Sequence, residues 1–201
     1  MISLSDVLFL KLISCFYKPT KGEVLIDGTN LNEIDLNSYY EDLTYISQDS
    51  VIFDGSLREN IVFDKKIDDK KIIDVLKLVS LEKFYNNLKD GLDTNLGEKG
   101  VLVSGGERQR IALARLFFDE SKIIILDEAT SQMDNITEKE VMKNITKLAD
   151  KTIIIIAHRL DSIKDSDVIN VMLDGKIIAS GKYDELKKTN KYFKNLTTKK
   201  N

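Results

Sequence analysis

Apolar residues are spaced in three different ways along this chain, and each spacing predicts a different kind of element. From Val7 to Phe16 they predict a buried helix, stopped by Pro19 and Gly22. "GEVLIDGTNL" holds a short apolar run broken by Asp27-Gly28, which predicts a strand and turn or a hairpin, and "LTYISQ" predicts a second strand leading into a loop at Gln48. Between about 56 and 118 the period becomes helical: "SLRENIVF", "DDKKIIDVLKLVSLEKFYNNL" and "ERQRIALARLFF" read as a helical insertion. "KIIIL" and "TIIIIA" are unbroken apolar runs separated by a helical segment at about 137–148, the pattern of strands covered on both faces in a parallel sheet. "SDVINVML" and "DGKIIASG" predict two strands about an Asp-Gly turn, "KYDELKK" a closing helix, and "TTKKN" a frayed tail. Together these elements predict one α/β domain over residues 1–201 with a helical lobe inserted at about 56–118.

Composition narrows the partners. Thirty basic against 33 acidic residues leave a net charge of −3, which offers no general attraction for a phosphate backbone, so no nucleic acid is expected. Cys15 is the sole cysteine, which excludes an intramolecular disulfide and a cysteine-built zinc site and suits a reducing cytoplasm. The three Asn-x-Thr triplets, at Asn135, Asn144 and Asn195, are read as chance. The apolar runs fall far short of the roughly 20 residues that span a bilayer. Asp6 and Lys11 interrupt the apolar N-terminal stretch and no basic region precedes it, so it is not read as a signal peptide.

In "VSGGERQR", Ser104 and Glu107 fit a capping box at a helix start. The box does not explain Gly105 and Gly106, because glycine in a first turn costs up to about 1 kcal/mol relative to alanine. An anion site would explain them: free amides, the helix dipole and missing side chains let a phosphate approach. Both readings stand on this segment alone. "IIILDEAT" places Asp127 and Glu128 directly after a buried strand, at the sheet edge where ligands of α/β folds bind. Neighbouring side chains point apart, so one carboxylate can hold Mg²⁺ while the other orients and deprotonates a water. "TIIIIAHRL" delivers His158, the only histidine, from another strand end, as a group for a γ-phosphate or the attacking water. Gln48 is placed to reach the metal or the water from a third.

With "VSGGERQR", "IIILDEATSQMD" and "IIIIAHRL" in this order, the chain resembles the nucleotide-binding domain of ABC ATPases, from about Leu8 to Phe193. The resemblance implies a P-loop NTPase-like (RecA-like) fold with a mostly parallel sheet and a helical signature subdomain. It also implies ATP and Mg²⁺ as cofactors. Position by position, it makes Ser104, Gly105, Gly106 and Glu107 the signature motif, with Val103 where leucine is usual and Glu107 where glutamine is common. Asp127 matches the metal-associated Walker B aspartate, Glu128 the catalytic glutamate and His158 the switch histidine. Ser131 to Asp134 match the D-loop, and Gln48 matches the Q-loop, where it is expected at metal and nucleotide. "FDGSLRENI" and "TNLGEKG" look like the exporter branch, with Glu98 as a coupling residue. The implied partners are a second ABC ATPase domain and the transmembrane domain of a transporter, at the cytoplasmic face of the membrane.

One expected part is missing from the sequence. The family's G-x-x-x-x-G-K-[ST] loop precedes a segment like "FYKPTKGE", yet counting back from Phe16-Tyr17 puts Asp6 at the lysine and Val7 at the Mg²⁺-binding hydroxyl. An aspartate repels a triphosphate and a valine cannot ligate a cation. The expectation is an N-terminally truncated domain or a degenerate subunit that lends its signature face to a partner. In either case the isolated chain is expected to hydrolyse no ATP.

Overall fold

The computed structural model describes residues 4–97, 103–156 and 159–198. His158 and Glu98, both expected to carry function, lie outside the described residues, as do Met1 to Ser3 and the last residues of the tail.

The chain begins with α1 (Leu4–Ile13), which ends earlier than the apolar spacing predicts. Cys15 takes a left-handed conformation at φ 58° and the Tyr17 amide bonds back to the Lys11 carbonyl, so the chain reverses before Pro19 and Gly22 are reached. A hairpin follows, β1 (Leu25–Ile26) with β2 (Thr29–Asn30), closed by Asp27 and Gly28, both at positive φ. That pair of conformations is the turn whose twist matches two flanking strands. After α2 (Leu36–Glu41) come β3 (Leu43–Ile46) and the helical segment: α3 (Leu57–Val62), α4 (Asp69–Leu78), α5 (Glu82–Asn86) and α6 (Gly105–Ala114). The chain then alternates β4 (Ile123–Asp127), α7 (Asn135–Ile145) and β5 (Thr152–Ile156). It closes with β6 (Ile169–Leu173), β7 (Lys176–Gly181), α8 (Tyr183–Thr189) and α9 (Lys191–Thr198). The helix predicted from about residue 137 starts at Asn135 because Asp134 caps it, accepting from the amides of Ile136 and Thr137.

Parallel pairing is found in one sheet, ordered β3-β4-β5, while β1-β2 and β6-β7 are antiparallel hairpins. In β4, Ile124 and Ile125 are both fully buried although they point to opposite faces, as the unbroken apolar run predicts. In β5, Ile153 to Ile156 are only half-buried: among the described residues this strand pairs on one side, with β4 alone. The main core joins sheet to helices through Ile46, Ile124 and Leu126, Leu57 and Ile61 of α3, Leu76 of α4, Leu113 of α6 and Val141 of α7. A smaller core forms around Val171, Tyr183, Leu186 and Phe193.

The amino ends of the three parallel strands are fastened by polar groups. Asp119 accepts from the Thr44 hydroxyl and the Ser121 amide, and Lys151 donates to the carbonyls of Asp119 and Ser121. Burial works to raise the Asp119 carboxyl, but those hydrogen bonds and the Lys151 charge outweigh it and hold the group below its ordinary value. The carboxyl ends, with Asp127 and Glu128, lie at the opposite edge.

Candidate nucleotide-facing site

Register brings the strand ends together. Ile46 of β3 pairs with Leu126, and Asp127 pairs with Ile156 at the end of β5. Gln48 therefore lies two residues past one strand end and Glu128 one residue past the next, on the same edge of the sheet. His158 follows Ile156 by two positions in sequence. Asp127 is half-buried and its Oδ2 accepts from the Tyr45 hydroxyl at 2.5 Å. Burial first, and then that bond and the Asp127 charge, push the Tyr45 phenol far above its ordinary value and keep it a donor. Phe16 packs against the Tyr45 ring with centroids 6.1 Å apart. Glu128 sits at φ 52°, a left-handed conformation that costs a non-glycine residue about 1–2 kcal/mol. Its amide still bonds to the Ile156 carbonyl and its carbonyl accepts from Ser131, so the kink turns the chain sharply out of β4. Such strain, held in place by flanking bonds, is concentrated at working sites.

At the start of α6 the capping box is complete. The Ser104 amide and hydroxyl both donate to Glu107 Oε2, at 2.8 and 2.7 Å, and the Glu107 amide returns a bond to Ser104 Oγ. The glycines have a packing reason besides the expected phosphate. A Cβ on Gly106 would stand 2.9 Å from the backbone oxygen of Gln132, and one on Gly105 would overlap the Gln132 side chain. The loop 130–134 lies directly on this turn. Ser104 itself is exposed, as are Gln132 and Asp134, while Asp134 serves as the cap of α7. The amides of Thr137 and Ile136 that bond to the Asp134 carboxyl hold it below its ordinary value, the Thr137 amide most.

Three further side chains tie these parts together, and none belongs to the set read from sequence. Gln109 of α6, 1% exposed, donates to the Gln48 carbonyl at 3.2 Å and to Ser131 Oγ at 3.1 Å, and accepts from the Gln132 amide at 2.9 Å. Glu138 of α7, 4% exposed, accepts from Thr130 Oγ1 at 2.8 Å and from Arg159 Nη1 at 2.7 Å. Arg159 also donates to the Met133 carbonyl at 2.7 Å. A signal for two of them exists in the sequence. Gln109 precedes Ala112, Leu113 and Leu116 on the buried stripe of its helix, and Glu138 precedes Val141, Met142 and Ile145, so each is a polar residue at a core position. Arg159 offers no such signal, and neither does Tyr45.

The donor set suits magnesium arriving with a nucleotide. Asp127 and Gln48 bring hard oxygen atoms, and among the described residues no group of three or more His, Cys, Asp or Glu forms a cage. Mg²⁺ is commonly held by one or two carboxylates plus substrate phosphates rather than by protein alone.

Known proteins resemble this chain in both sequence and structure. The family profile described as "ABC transporter" matches residues 8–131. The chain is 41% identical over 177 residues to the heterocyst differentiation ATP-binding protein HepA of Nostoc sp., covering 87% of this chain and 29% of that protein. It is 42% identical over 178 residues to a multidrug resistance ABC transporter ATP-binding and permease protein of Lactococcus lactis, covering 87% and 30%. The solved structure of a bacterial Atm1-family ABC exporter with ATP bound superposes with a TM-score of 0.86 at 31% identity, covering 96% of this chain and 34% of that one. The chain thus spans about a third or less of the length of the relatives it matches. The mixed α/β fold with its parallel sheet is of the P-loop NTPase type expected from sequence. With the family profile matching more than half of its length and these relatives 41% and 42% identical over most of it, the chain belongs to the ABC transporter family, as a nucleotide-binding domain of the exporter type.

Proposed function

We infer that this chain works as the ATP-hydrolysing domain of an exporter-like transporter, at the cytoplasmic face of a membrane and paired with a second domain of its kind. The observation that carries this reading is the parallel register, which sets Gln48, Asp127 and Glu128 at one sheet edge. Asp127 and Gln48 would hold Mg²⁺, Glu128 would orient and deprotonate the attacking water, and His158 would contact the γ-phosphate or that water. Bound MgATP supplies the phosphoanhydride bond whose hydrolysis drives transport. Ser104, Gly105, Gly106, Glu107 and Asp134 face the nucleotide of the second domain. The 201 residues contain no G-x-x-x-x-G-K-[ST] loop, and in this reading the phosphates of the chain's own nucleotide are held from outside them. An exposed apolar patch formed by Val51, Phe53 and Phe63 suits a transmembrane-domain contact. Arg115 braces it, packing 5.3 and 5.4 Å from the two phenylalanine rings, its guanidinium pulled down to about 10 by burial.

The first test is MgATP turnover by the purified chain. None is expected, and turnover that Glu128→Gln abolishes would overturn the requirement for an outside phosphate loop. In a complete site, Glu128→Gln is expected to lower turnover by about 10²- to 10⁴-fold. A second reading, in which the chain only lends its signature to an intact partner, is favoured by one observation: the Ser104 turn is complete within this chain. Under it, Glu128→Gln leaves turnover of the pair unchanged while Ser104→Ala lowers it.

A further inference from the structure

We propose that Gln109 is a positioning residue: one buried carboxamide fixes the spacing between the Gln48 loop, the loop 130–134 and the signature turn, so that these three segments shift together. The geometry leaves little slack. The Nε2 of Gln109 donates across 61 positions of sequence to the Gln48 carbonyl and across 22 to Ser131 Oγ, while Oε1 takes the Gln132 amide. Both ends of the amide are therefore in use, and the group is shut away from water that could substitute for a lost partner. The second contact between the same segments is steric: the Gln132 carbonyl lies so near Gly106 that a Cβ there would stand 2.9 Å away. A hydrogen bond on one side and a close approach on the other leave the loop 130–134 one seat on α6. Displacing Gln48 pulls on Gln109, and through it on Ser131 and Gln132, which rest on the turn led by Ser104.

The consequence rests on the proposed function. Gln48 faces the chain's own metal-nucleotide and Ser104 faces the partner's, so Gln109 joins the two faces through groups that touch neither ligand. A chain without this amide still has both sets of contacting residues, in a looser mutual alignment.

The experiment has a ligand-free arm and a functional arm. In amide exchange on the native chain, the Gln132 N–H is expected to be protected. Gln109→Met keeps the side-chain length, removes both polar ends and is expected to speed that exchange by about tenfold. Ser131→Ala, which leaves the core intact, is expected to shift the side-chain amide of Gln109 and the backbone amide of Asp49, which senses donation to the Gln48 carbonyl. In the second arm the chain is paired with an exporter-type nucleotide-binding domain that carries its own phosphate loop. There Gln109→Met is expected to lower kcat by about 10- to 100-fold, with KM for ATP held within about twofold, the mark of alignment lost in the transition state. A lowered melting temperature with unchanged kcat for the folded pair overturns the proposal, as does an unmoved Asp49 amide in Ser131→Ala. If the native chain fails to stimulate its partner, the functional reading falls, and the exchange and shift results still decide whether Gln109 couples the loops.

Discussion

Two helices in this chain begin with the same device and differ in what packs on the first turn. Ser56 and Glu59 open α3 with a capping box in which the Ser56 amide and hydroxyl donate to Glu59 Oε2 at 2.7 and 2.8 Å. Ser104 and Glu107 open α6 with the same bonds at 2.8 and 2.7 Å. The difference lies in the two residues inside each box. At α3 they are Leu57, fully buried in the core, and Arg58, which pairs with Asp69 and Asp93. At α6 they are Gly105 and Gly106, which leave room for Gln132. A capping box is therefore a helix start and nothing more; it is the empty first turn behind Ser104, with a loop from β4 seated on it, that sets α6 apart from α3.

Substitutions in the two turns test this contrast. The largest effect is expected at Leu57→Ala, about 2–5 kcal/mol of stability lost in urea unfolding, because the α3 turn is anchored by a buried side chain. Next comes Gly106→Ala. Helix propensity alone favours alanine by about 1 kcal/mol, yet the approach of the Gln132 carbonyl makes a net loss of about 1–3 kcal/mol the expected outcome. A stabilised variant in the same unfolding assay would show that packing does not keep this glycine. Ser56→Ala and Ser104→Ala are each expected to cost about 0.5–2 kcal/mol, and to differ sharply in function: the second alone lowers turnover by a paired domain.

The smallest effect concerns pH. Hydrogen bonds from the Ser56 amide and hydroxyl hold the exposed Glu59 carboxyl below its ordinary 4.5. A depressed folded-state value means that the contribution is present above pH 4.5 and fades as pH falls through the folded value. Glu59→Gln is accordingly expected to flatten the acid limb of a melting-temperature profile slightly between pH 5 and 3.

Much of this was legible beforehand because periodicity reports burial. The runs at Ile123 to Leu126 and Thr152 to Ile156 give strands, the Asp-Gly pairs give both hairpins, and the order of three motifs gives the family. What the sequence hides is contact between distant segments. The doubled glycine reads as room for a phosphate, whereas in the fold it also makes room for Gln132, a residue 26 positions beyond Gly106. A helix end is hidden where a single conformation decides it, as at Cys15, and α9 gives little signal because Lys191 to Thr198 is mostly polar and buries only Phe193. The Tyr45 bond to Asp127 depends on strand register, which no local pattern states.

In the proposed function this chain presents a working signature face to another domain's nucleotide. This role is tested most directly by MgATP turnover of an exporter-type nucleotide-binding domain bearing its own phosphate loop, mixed with this chain in native and Ser104→Ala forms. The native chain is expected to raise turnover and the variant is not. Equal turnover with both forms, or none added by either, would contradict it.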